Sequence, residues 1–197
     1  MNKHTGFTLI EVIICSMVFM FIATALASVL QMGMIVDREE KVTSEILTNM
    51  NIGRRFLMEG APKGSPVGDK GLLQADEAFT GLTVGSQDED MDGLPMLRYN
   101  SAGEIYHVWV ASPTGMLVRH RVFPSVLPRE TIMGDSMLKL KITALENKTF
   151  FQDSRFPGFV VGTWLVYEDR NSNDVQDLDE LSIPFRFSVA LRNIQYE

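Results

Sequence analysis

Hydrophobic and polar positions change their rhythm twice along this chain. From Phe7 to Val36 the sequence reads FTLIEVIICSMVFMFIATALASVLQMGMIV, thirty residues with one charge, Glu11. As helix, such a stretch rises about 45 Å, more than the roughly 30 Å hydrocarbon core of a bilayer, so it predicts a membrane span with length to spare. From Asp37 the pattern becomes one-sided. Val42, Ile46, Met50, Gly53 and Phe56 or Leu57 fall on one stripe, with Glu39, Lys41, Glu45, Asn49 and Arg55 elsewhere. Gly60 and Pro62 form a stop signal. One helix is therefore predicted from about Thr8 to Glu59, apolar all round over residues 7–36 and amphipathic over 37–60. Residues 61–93 are rich in Gly, Pro, Asp and Ser and read as a connecting loop with one short helix near Leu72–Ala78.

Beyond residue 93 the period shortens towards two. PMLRYN, EIYHVWVA and MLVRHRVF are separated by Ser101-Ala102-Gly103 and Pro113-Thr114-Gly115, the pattern of a meander. SMLKLKITAL alternates Leu138, Leu140 and Ile142 with Lys139, Lys141 and Thr143, and GFVVGTWLVYED and IPFRFSVALRN follow. Five or six antiparallel strands over residues 94–197, covering the amphipathic half of the helix, predict an α+β chain.

Glu11 is the anomaly. An acid near the centre of a bilayer costs on the order of 2.5–3.5 kcal/mol on insertion scales and usually has a partner. No base in the run can supply one. Cleavage between Gly6 and Phe7 would create an α-amino group on Phe7, placed i+4 from Glu11 on one helix face. The amine of a neighbouring chain would serve equally, and so would water at headgroup level. A secretory signal has an apolar region of about 7–15 residues. This run is twice that, although Ala23, Ala25 and Ala27 offer small-residue cleavage positions.

The heptapeptide Gly6-Phe7-Thr8-Leu9-Ile10-Glu11-Val12, after a short segment bearing Lys3 and before a long apolar helix, resembles the class III signal of type IV pilins and type II secretion pseudopilins. The resemblance implies that residues 1–6 are a leader, that a prepilin peptidase cuts after Gly6 and N-methylates Phe7, and that Glu11 helps recruit the subunit into a filament. Its implied partners are other pilin or pseudopilin subunits, the peptidase, an inner-membrane assembly platform and the lipid bilayer. It also implies a single-pass inner-membrane protein with a cytoplasmic N-terminus and a head in the periplasm or outside the cell. Many members of the family carry a helix-bending proline where this chain has Ser28. RYNSAGEIYHVWV and GMLVRHRV are similar to minor subunits of the J-type pseudopilin or PilW-like kind. The rival reading is an extracytoplasmic binding domain, tethered or secreted and braced by calcium, with no filament role.

Charge and chemistry refine this picture. With 25 Asp and Glu against 18 Lys and Arg, and no basic stretch interleaved with aromatics, a nucleic-acid surface is not expected. Cys15 is the only cysteine, which excludes an intrachain disulfide and a cysteine-based zinc site. In DRNSNDVQDLDE, oxygen ligands recur at the positions a calcium loop uses: Asp169, Asn171, Asn173, the Val175 carbonyl, Asp177 and Glu180. Its sixth position, normally Gly for positive φ, is Asp174. A half-loop at Asp88, Asp90 and Asp92 ends in Gly93 but lacks a closing carboxylate. His107 and His120, in adjacent predicted strands, have no third ligand. Gly134-Asp135-Ser136-Met137 has no histidine after it to complete a hydrolase site, so no catalytic residues and no enzyme activity are expected.

Overall fold

Our computed structural model describes residues 8–63, 65, 68–82, 96–111, 114–134, 139–145, 150–153 and 155–191. Helix α1 runs from Leu9 to Glu59, 51 residues. Its buried positions are Val42, Ile46, Met50, Gly53 and Leu57, the stripe read from the sequence, with Phe56 packed half-buried beside them. The helix stops where Gly60 adopts φ +87° and donates its N–H to the Phe56 carbonyl at 2.9 Å, a left-handed cap that needs no Cβ.

The chain divides into two units, residues 1–41 and 42–197, and α1 runs through the boundary. Asp37 to Lys41 are exposed, and Val42 is the first helical side chain to enter a core.

The described residues of unit 42–197 form two antiparallel sheets rather than the one expected. The first contains β1 (Glu77–Leu82), β2 (Met96–Ser101), β3 (Glu104–Ala111), β4 (Met116–Phe123) and β5 (Glu130–Met133) in sequence order. The second is built on the 13-residue β8 (Phe156–Glu168). Strands β6 (Leu140–Ala144) and β7 (Phe150–Asp153) share one of its edges, and β9 (Ser182–Ala190) takes the other. Three strands went unread in the sequence: β1, β5 and β7. Two of these have only four residues, too short for a period to show. β1 corrects the expected loop at 61–93. Leu72–Gln74 is a single 3-10 turn, and the chain then extends, because Glu77 to Thr80 find partners at Asn100 to Leu97.

Helix stripe and sheets share one core. Gly53 sits where β5 crosses closely: a Cβ there would lie 2.8 Å from the Met133 Cβ. In the second sheet Trp164 stacks on Phe185 at 4.9 Å and meets Phe150 and Phe187 edge-on. A Cβ on Gly162 would run into the Phe187 ring, so this strand glycine makes room for an aromatic cluster.

One charge lies inside the first sheet. Arg119 on β4 is 1 % exposed and donates to Glu130 at 2.7 Å, to the Gly68 carbonyl at 3.1 Å and to the Lys70 carbonyl at 3.0 Å. Its guanidinium lies 5.5 Å from the Tyr106 ring centre, and Tyr106 stacks on Tyr99. Burial opposes the guanidinium charge, but Tyr99 and Glu130 more than offset it and its pKa rises. Burial pushes the Tyr99 hydroxyl up to about 12 despite the neighbouring Arg119. This cluster clips the segment after the helix onto the sheet.

Candidate functional site

Two places collect the residues singled out by the sequence. At the start of α1, Thr8 stands at the N-cap and Glu11 three residues on. The Glu11 carboxylate accepts the Thr8 N–H at 2.8 Å and the Thr8 hydroxyl at 2.9 Å, while the Glu11 N–H points back to the Thr8 oxygen at 3.4 Å. This is a reciprocal capping box, which satisfies two of the four N–H groups a helix start leaves open. The lone acid thus has an intrachain role that needs no counter-base. The T-x-x-E spacing carries that signal, and the sequence reading passed over Thr8. Gly6 and Phe7 lie outside the described residues.

Downstream, the apolar face is exposed on every side from Leu9 to Val36. Hydroxyl groups in this stretch are turned onto the backbone: Ser16 donates to the Ile13 carbonyl, Thr24 to Met20 and Phe21, and Ser28 to Thr24 at 3.0 Å. Their polarity is thereby hidden from a lipid or helix neighbour. Helix geometry continues through Ser28 without a break. By length and composition this helix is able to cross a membrane.

The second place is the loop between β8 and β9. Asp169 is buried at its start and takes the N–H groups of Asn173 and Asp174; Glu180 is buried at its end and takes those of Arg170 and Asp177. Asn171 and Asn173 both donate to Asp177, at 2.6 and 3.0 Å. Asp174 has φ +61°, the conformation anticipated for the sixth position, and bonds Lys141 at 2.7 Å. Five proposed side-chain ligands therefore gather in one loop, each engaged with the loop's own amides. Among the described residues no three His, Cys, Asp or Glu side chains form a metal-holding group. Beneath the loop Tyr167 is pushed up to about 12, by burial first and then by Asp169 and Glu180. Asp88, Asp90 and Asp92 lie outside the described residues. His107 and His120 do face each other, as directly opposed residues of β3 and β4.

Against this geometry stands one comparison. Residues 1–27 match the family model described as the prokaryotic N-terminal methylation motif, so the chain carries a type IV pilin-like prepilin signal. Together with the apolar helix and the antiparallel sheets, this makes the architecture pilin-like α+β and fits a membrane-anchored protein. No curated protein and no solved structure matches the chain.

Proposed function

We propose that this chain is a minor pilin or pseudopilin, an assembly subunit of a type II secretion or type IV pilus filament. Prepilin peptidase cuts it between Gly6 and Phe7 and methylates Phe7. Its helix holds it in the inner membrane and then in the filament core, with the head on the extracytoplasmic side. The observation that carries this reading is the pairing of a methylation motif with an apolar helical stretch, Leu9 to Val36, whose only acid is held at the helix cap. Mass spectrometry of the mature chain tests it: the N-terminus is Phe7 bearing one methyl group. A chain that retains Met1, or begins after Ala25 or Ala27, overturns it.

We further propose that the 169–180 loop takes calcium, which braces it between β8 and β9. Support comes from the ligand spacing and from Asp174, whose φ of +61° meets the demand of position six. Amide bonds do not use up the loop's capacity, because each carboxylate has about four lone-pair sites. Calorimetric titration shows binding at about 10⁻⁴–10⁻³ M, the range of extracellular modules, and at least about tenfold weaker binding for Asp169→Ala. Absence of heat at millimolar calcium disposes of the site.

A further inference from the structure

Three of the four non-glycine residues with positive φ among the described residues meet at one place: Lys139 at +51°, Ser172 at +60° and Asp174 at +61°. A side chain makes that backbone region costly, and aspartate tolerates it better than lysine or serine. Both loop positions, 172 and 174, are tied to a lysine from the neighbouring strand. The Lys139 ammonium donates to the Ser172 hydroxyl at 2.6 Å, and the Lys141 ammonium donates to the Asp174 carboxylate at 2.7 Å. The Lys139 carbonyl also accepts the Asp169 N–H at 3.3 Å, at the point where the loop begins.

The lysines are themselves fixed in place. They alternate with Leu140 and Ile142, both buried, which seat β6 in the core. Strand pairing sets Lys141 opposite Tyr167, two residues before the loop. The Ile142 N–H donates to the Gly115 carbonyl at 2.7 Å, and a Cβ on Gly115 would lie only 3.0 Å from the Lys141 stem. That glycine leaves room for the stem, whose ammonium then reaches Asp174. Five acids of the loop face one arginine in sequence, so two added ammonium groups relieve their repulsion. Neither Ser172 nor Asp174 is among the proposed calcium ligands, so both contacts coexist with a filled loop. We infer that Lys139 and Lys141 are positioning residues, which hold the 169–180 loop in its ligand-bearing shape independently of the ion. Calcium then tightens a formed loop instead of folding it. The inference rests on the calcium reading for its ligand and goes beyond it in naming what shapes the site.

Hydrogen–deuterium exchange of the full chain in detergent, with calcium chelated, tests this through the amides of Asn173, Asp174 and Val175. These N–H groups bond the side chains of Asp169 and Asn173 through the turns of the loop. They exchange slowly in the unaltered chain and about tenfold faster in Lys139→Met/Lys141→Met, since contacts this exposed shift an equilibrium by at most about fivefold each. Amides of β8 stay protected, which shows that the sheet has folded. Lys141→Arg keeps the charge and the protection. Asp174→Asn loses as much protection as Lys141→Met, and the two together lose no more, as a coupled pair requires. Four results overturn the inference: unchanged exchange in the double lysine variant, equal loss from Lys141→Arg, additive losses at Lys141 and Asp174, or loss of β8 protection. Calorimetric titration of the unaltered chain reports the calcium reading separately. Absence of heat beside these exchange changes removes calcium alone, and heat beside unchanged exchange removes the lysine hold alone.

Discussion

Replacing Arg119 by methionine lowers the stability of unit 42–197 by about 3–5 kcal/mol, since removing one partner of a buried pair leaves the other uncompensated. Glu130 and the Gly68 carbonyl lose the guanidinium donor, and the Lys70 carbonyl keeps only the Tyr99 hydroxyl. The Glu130 side chain keeps 16 % exposure, so water offsets part of the loss and the lower end of the range applies. A small domain is stable by only about 5–15 kcal/mol, so this change removes a large share. The double variant Arg119→Met/Glu130→Met regains much of it, because apolar replacement of a whole buried pair is often near neutral. Denaturant unfolding followed by tryptophan fluorescence measures both. A loss under about 1 kcal/mol in the single variant would mean that the carbonyl contacts contribute little and that Glu130 is solvated after all.

Glu11→Ala leaves membrane insertion and cleavage intact but reduces incorporation into filaments at least about tenfold, the equivalent of about 1.4 kcal/mol. The capping box supplies a control that separates two roles of this acid. Glutamine serves at the third helical position of a capping box as glutamate does, yet carries no charge. Under the recruiting role that the pilin resemblance implies for the Glu11 charge, Glu11→Gln therefore incorporates as poorly as Glu11→Ala. Recovery of incorporation in Glu11→Gln would instead assign the defect to the helix start alone. Immunoblots of the sheared filament fraction against the membrane fraction give the comparison.

These two residues also mark how far the sequence could be read. The helix was legible because its information is local. An uninterrupted apolar run and a 3.6-residue stripe both follow from neighbours within two turns, and Val42, Ile46, Met50, Gly53 and Leu57 are buried as that period demands. The positive φ of Asp174 was legible for the same reason, since it depends on the twelve residues of its own loop. The cap on Glu11 is equally local, carried by the T-x-x-E spacing of Thr8 and Glu11 at the helix start. β5 and β7, four residues each, offered no period, and β1 was masked by the turn-rich composition around it.

By itself, then, the sequence determined the long helix, its change from an all-apolar to a one-sided surface, the methylation motif at its start and the α+β class, all carried by short-range pattern. Only the tertiary structure decided that strands divide into two sheets. It alone brings Arg119 to carbonyls 51 and 49 residues away and lines Phe79, Arg98, His107 and His120 into one row. Pairing register sets those meetings, and a shift of one residue would turn every side chain of a strand to the opposite face. That register depends on which strands share a core, which no local window of the chain contains.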